Sequence, residues 1–230
     1  EEGEKTASEA SSETGLKASF LTGLNADVQL RADSIAMPGV PVKRGGFHLR
    51  LKDGRLRIDP LELKLADGTV NASATVQPAD PGMKGSAVVE FKNIDLSRLD
   101  IGGENGGVTS GRLVLELPPT QHLDRIWARL NIEKSRLRYQ DPAEKTDLSS
   151  DFHTEEKDGK RRVQTDISGK YQGRSLDLSV SGGAVSDLLE PEKPLSVSAS
   201  GTVNKQAIRL NADLVQRRGA WNLENIDTRL

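Results

Sequence analysis

Three features of the sequence predict an all-β protein, mainly antiparallel, built as an arched or groove-like sheet of meander hairpins with one or two short helices. Apolar residues recur at every second position in short runs, the runs are bounded by Gly, Asp, Asn and Pro, and helical periodicity is scarce. Of the 230 residues, 35% are hydrophobic, 3% aromatic and 29% charged. That is thin for a compact two-layer globule and adequate for a sheet with one wet face.

Residues 1–15, EEGEKTASEASSETG, hold no periodic apolar residue and are expected to form a disordered linker. Residues 16–230 are expected to form one β-rich domain, with the Gly-rich GGENGGVTSG at 102–111 as a candidate internal boundary. Leu24, Ala26, Val28 and Leu30 alternate with Asn25, Asp27, Gln29 and Arg31, which gives one apolar and one hydrated face. Phe47, Leu49 and Leu51 repeat the pattern, and Asp53-Gly54 supplies a tight turn before Leu56 and Ile58. Leu61, Leu63 and Leu65 follow, and Asp67-Gly68 turns the chain into Val70, Ala72, Ala74 and Val76. Later strands are marked by Ala87, Val89 and Phe91, by Leu113, Leu115 and Leu117, by Val163, Thr165 and Ile167, and by Leu176, Leu178 and Val180. LSVSASGTV and the run Ile208, Leu210, Ala212, Leu214 complete the series.

Helix signals are few. Leu123, Ile126, Trp127 and Leu130 fall at i, i+3, i+4 and i+7 behind Thr120, a candidate cap, and predict a helix near 121–130. NIDLSRLDIGG and AVSDLLEPEKP read as single connecting turns closed by Gly or Pro.

One stretch breaks the alternation. In GRLRIDPLELKLADG, residues 54–68, Leu56 and Ile58 are on one parity and Leu61, Leu63 and Leu65 on the other. A regular strand would turn one set to water. An extra residue at Asp59-Pro60 would return both sets to one face, because proline cannot donate to a ladder and belongs at an edge or a bulge. A bulge or bend is therefore expected at 59–60, the device by which a sheet curves.

The chain carries little that would do bond chemistry. It has no cysteine, and therefore no disulfide framework, thiolate metal site or cysteine nucleophile. Its three histidines, His48, His122 and His153, form no metal-ligand spacing, and its carboxylates alternate with leucines as the wet face of a strand should. GGENGG lacks the following Gly-Lys-Ser/Thr of a phosphate cradle. No catalytic, cofactor-binding or metal site is expected, and the chain is read as no enzyme. A net charge of -2 with both signs interspersed leaves no basic stripe for nucleic acid. KDGKRRVQ (157–164) and VQRRGAW (215–221) are short basic clusters near turns, read first as solvated loop tips and second as contacts for anionic lipid headgroups.

The order of these pieces resembles the AsmA family of envelope proteins in Gram-negative bacteria. The stretches that carry the resemblance are LNADVQLRADSIAMPGVPVKRGGFHLRLKDGRLRIDPLELKLADGTVNASATV, FKNIDLSRL, SGRLVLEL with LDRIWARLNIEKSRLR, and ISGKYQGRSLDLSVSGGAVSDLLEPEKPLSVSASGTV. Each is built from leucines, glycines and turn dipeptides, and their order and spacing are what persuade. The resemblance implies a β-rich body in the periplasm, tethered to the inner membrane by a segment absent from this chain. It also implies kinship with bridge-like proteins that carry phospholipid between two membranes.

On both grounds the expected function is a module that binds or shuttles phospholipid between inner and outer membrane, in support of outer-membrane homeostasis. Its acyl chains would lie along Phe47, Leu49, Leu51, Leu56, Ile58, Leu61, Leu63, Leu65, Val89, Phe91, Leu113, Leu115, Leu176, Leu178 and Val180. A sheet with one apolar face must cover it with a helix, a second sheet or a ligand. Here the leucine-lined runs are many and the covering helix is single. The alternative is a sandwich-like scaffold that assists outer-membrane protein assembly by presenting strand edges to an envelope protein partner.

Overall fold

The computed structural model describes residues 23–37, 40–65, 67–99, 106–121, 129–157, 160–184, 194–217 and 220–229. Fifteen strands join one antiparallel sheet. They are β1 (Ala26–Ala32), β2 (Ile35–Met37), β3 (Val40–Lys52), β4 (Arg55–Leu65), β5 (Thr69–Pro78), β6 (Met83–Asp95), β7 (Val108–Thr120) and β8 (Asn131–Ile132). Then come β9 (Ser135–Asp141), β10 (Thr146–Lys157), β11 (Lys160–Tyr171), β12 (Arg174–Ala184), β13 (Leu195–Val203), β14 (Gln206–Arg217) and β15 (Ala220–Arg229).

Thirteen of the strands lie side by side in the order β1-β3-β4-β5-β6-β7-β9-β10-β11-β12-β13-β14-β15, with β2 on β3 and β8 on β7. At about 4.8 Å per step this ladder spans roughly 58 Å across its strands. Substantial packing joins only strands that are neighbours in the ladder, apart from β8 against β10. The described residues thus form one layer, and no second sheet closes over it. The meander follows from short turns: Asp53 and Gly54 both take positive φ between β3 and β4, as a two-residue hairpin turn demands.

The parity change in β4 is a bulge. Ile58 pairs with Ala74 and Leu61 with Ala72, so Asp59 and Pro60 together face the single residue Ser73 of β5. The same two residues face the single His48 on the other side, between Leu49↔Ile58 and Phe47↔Leu61. Leu56, Ile58, Leu61, Leu63 and Leu65 consequently share one face, while Arg57, Asp59, Pro60, Glu62 and Lys64 are exposed on the other. Further bulges interrupt the ladder between Val42 and Arg44 on β3, Phe91 and Ile94 on β6, and opposite Met83–Gly85 on β7. On the later strands they occur opposite Arg162–Gln164 on β12 and Asn211–Asp213 on β15. Each bulge bends its strand and adds local twist.

The densest packing lies at one end of the early strands. Val42, Leu65 and Ile94 are buried there, with Ile35, Leu63, Val70, Phe91, Leu96 and Leu99 packed around them. Among the described residues the helical positions are a 3-10 turn, Leu96–Arg98, capped by Asp95 through its side chain, and the single residue Arg129. The expected short helices are therefore not borne out there. The 121–130 segment falls largely outside the described residues, as do residues 1–15 and most of AVSDLLEPEKP. Across the candidate boundary at 102–111 the sheet is continuous, since β6 and β7 pair along most of their length.

Candidate functional site: the apolar face of the sheet

Residues paired across antiparallel strands point to the same side, so the register alone fixes which side chains share a face. Starting from Leu49, the chain of partners runs Val28, Leu49, Ile58, Ala74, Ala87, Leu115 and Ile132. A neighbouring row runs Leu137, Ser150, Ile167, Leu178, Gly201 and Ile208, and Gly111↔Leu137 joins β7 to it. All fifteen residues nominated from the sequence lie on this one face. Phe47, Leu49 and Leu51 come from β3, Leu56, Ile58, Leu61, Leu63 and Leu65 from β4, Val89 and Phe91 from β6, Leu113 and Leu115 from β7, and Leu176, Leu178 and Val180 from β12.

Their burial is what a partly covered face should show. Leu51 and Leu65 are buried, and the other thirteen are half-buried. No apolar side chain on β9, β10, β11 or β12 is fully buried among the described residues, yet Leu137, Leu148, Phe152, Val163, Ile167 and Leu178 continue the apolar face there. At the first edge the face is open to solvent: Val28 and Leu30 of β1 are 44% and 47% exposed.

Sequence reading missed β9 and β10 and with them Leu137, Tyr139, Leu148 and Phe152. Each has a short alternation interrupted by serine on the apolar side, as in Leu148-Ser149-Ser150-Asp151-Phe152. A repeat would have found β10. Asp147-Leu148-Ser149 on β10 is answered by Asp177-Leu178-Ser179 on β12, and Ser168-Gly169 on β11 by Ser200-Gly201 on β13. In both hairpins the glycine pairs with the leucine, Gly169 with Leu148 and Gly201 with Leu178. Both glycines have positive φ, and a Cβ on either would strike the carbonyl oxygen of the preceding strand's aspartate, Asp147 or Asp177. Glycine is required at these points because the neighbouring backbone occupies the side-chain position.

The opposite face is hydrated and ion-paired. Arg136 donates to Asp151 at 2.8 Å, Arg138 to Asp147 at 2.9 Å and Arg112 to Glu90 at 3.1 Å. The hydrogen bond from Arg138, aided by Gln140, holds the Asp147 carboxyl below its ordinary range, and Asn225 with Ser196 does the same for Asp213. His48 lies on this face, 2.6 Å from Asp27, and His153 is exposed on β10; His122 lies outside the described residues. No group of three or more His, Asp or Glu side chains is placed to hold a metal among the described residues. No helix among them is long and apolar enough to cross a membrane.

What this arrangement can do is physical: one continuous aliphatic face, with no fully buried apolar side chain on β9 to β12 among the described residues, can remove hydrocarbon from water at about 0.8 kcal/mol per methylene. A family model for the AsmA family matches residues 2–116, half of the chain. No curated protein and no solved structure matches it.

Proposed function

The chain belongs to the AsmA family, and on that premise we propose that it is a non-enzymatic module of the periplasm that binds or shuttles phospholipid between the inner and outer membranes. The observation that carries this reading is the single layer: fifteen strands share one apolar face, and among the described residues no second sheet packs on it. Acyl chains lie along that face, and headgroups stay in water. Apolar burial at ~25 cal/mol per Å² supplies the binding free energy without a bond being made or broken. A tether to the inner membrane completes the reading.

Photoreactive residues at Leu49, Leu63 and Leu178 test it. Phospholipid adducts at these positions, with none at the outward Arg57 and Ser179, are the expected result. Silence at all three inward positions, with a known lipid carrier labelled in parallel, would refute the reading.

The scaffold reading keeps one observation in its favour. Both edge strands present exposed apolar side chains, Val28 and Leu30 on β1 and Ile226 on β15, and an open edge is a template for strand addition by a partner. Face-to-face packing into a sandwich, which that reading assumed, finds no counterpart in the one-layer sheet. An envelope protein that crosslinks to β1 or β15 while lipid labels no inward position would favour the scaffold.

A further inference from the structure

An antiparallel meander places its turns alternately on two rims. The turns after β3, β5, β10, β12 and β14 share one rim, and those after β4, β6, β9, β11 and β13 share the other. β1 begins at the first rim, since Ala26 pairs with Leu51.

The last rung of β3 and β4 at that rim breaks a rule of strand pairing. Lys52 stands directly opposite Arg55. Like charges directly opposite one another destabilise a ladder. One rung further in, Arg50 opposes Arg57, but there the charges are compensated, Arg50 by Asp27 at 3.5 Å and Arg57 by Asp59. Lys52 and Arg55 have no ion partner among the described residues, and neither has Lys84 across the next hairpin, where it pairs with Gln77. At the other rim the corresponding rungs are Asp141↔Thr146, Tyr171↔Arg174 and Val203↔Gln206, none of them a like-charge pair.

The three free cations line one open cleft of about 560 Å³ with Asp53, Gln77 and Pro78. Leu24, 44% exposed, enters at this same rim just before β1. Uncompensated charge kept against local stability is the mark of a surface with an occupant. Cations on the hydrated face of a rim whose other face carries exposed aliphatic residues suit the boundary between anionic headgroups and acyl chains. Lys52 on β3 and Lys84 on β6 are three ladder steps apart, about 14 Å at the usual strand spacing. That separation fits a surface of several headgroups and exceeds the reach of a single phosphate.

We propose that this rim docks on an anionic lipid bilayer, with the cleft formed by Lys52, Arg55 and Lys84 as its principal contact. It rests on the acyl-chain reading only in that docking here sets one open end of the apolar face against the membrane from which chains would enter.

The test is co-sedimentation of the full chain with vesicles of equimolar phosphatidylglycerol and phosphatidylcholine, or of phosphatidylcholine alone. The chain is expected to bind the anionic vesicles, more weakly as salt rises, and to leave the neutral ones in solution. At roughly fivefold per cation, K52Q/R55Q/K84Q should lower partitioning about 100-fold. K52R/K84R should retain it, and K145Q/R174Q/K205Q on the opposite rim should leave it unchanged. Equal binding to both vesicles, an unchanged triple variant or an equal loss from the opposite rim would overturn the proposal. So would displacement by inorganic phosphate beyond that caused by chloride at equal ionic strength, which would mark a simple phosphate site. Acyl-chain loading is read separately with a fluorescent fatty acid, and its failure with vesicle binding intact would refute the groove reading while sustaining the docking rim.

Discussion

The early strands β3 to β7 and the later strands β9 to β12 carry the same alternation but stabilise it differently. In the first region Val42, Leu65 and Ile94 are buried under a shell of other apolar side chains, and four bulges shape the strands. In the second no apolar side chain is fully buried among the described residues, a single bulge interrupts β12, and Gly169 approaches the neighbouring backbone too closely for any side chain. The family match ends at residue 116, inside β7, and so coincides with the first region. The difference teaches that one apolar face can be closed into a core over some strands and left only half-buried over others, with side-chain packing dominant in the first and backbone fit in the second.

The sharpest way to break this contrast is to remove a bulge from each region. Deleting Pro60 shifts one half of β4 by a residue and turns either Leu56 and Ile58 or Leu61, Leu63 and Leu65 to water. At about 1.5–3 kcal/mol per side chain, a loss of roughly 4–6 kcal/mol is expected in urea denaturation. Deleting Gly182 at the end of β12 moves only Ala184 and its connection, so about 1 kcal/mol or less is expected. Equal losses would show that the two regions are not distinct.

Cavity-forming substitutions are next in size. Leu65→Ala, inside the packed cluster, should cost about 3 kcal/mol, whereas Leu178→Ala, half-buried on the open face, should cost about 1 kcal/mol. A glycine in β13 reverses the ranking. Gly201→Ala should cost about 2 kcal/mol, because a Cβ there meets the Asp177 carbonyl at positive φ. Gly45→Ala in β3 should cost less, since its Cβ would meet only the movable tips of Ile35 and Leu63.

The smallest expected effect is that of pH. Asp147 and Asp213, on β10 and β14, are both held below the ordinary carboxylate range by hydrogen bonds, the first from Arg138 and the second from Asn225. A depressed folded value means that their stabilisation is complete above the unfolded carboxylate value and is lost as pH falls through the folded one. D147N/D213N should therefore flatten the loss of later-strand hydrogen-exchange protection in that acid window, leaving β3 to β5 unchanged. A change confined to the early strands would contradict the assignment.

How far these features were legible in the sequence depends on how local their causes are. Asp53-Gly54 and Asp67-Gly68 announce the β3–β4–β5 meander, and the misplaced parity of Leu56 and Ile58 against Leu61 announced the bulge, because both are settled within a few residues. β9 and β10 were not legible by alternation, since Ser150 occupies an apolar-face position and dilutes the signal. Whether the face is covered could not be read at all: Leu178 and Leu65 both sit in alternating apolar runs, and only the long-range approach of Val42 and Ile94 buries one and not the other. The like-charge rung of Lys52 and Arg55 was visible as a turn but acquires meaning only beside Lys84, which the sheet brings across from another hairpin.

The most direct test of an open, lipid-binding face uses the absence of cysteine from the chain. Single cysteines at Leu49, Leu178 and the outward Ser179 carry an environment-sensitive fluorophore, and phospholipid is added. A blue shift at both inward positions and none at Ser179 is the result this account expects; no shift at either leucine, or an equal shift at all three, would contradict it.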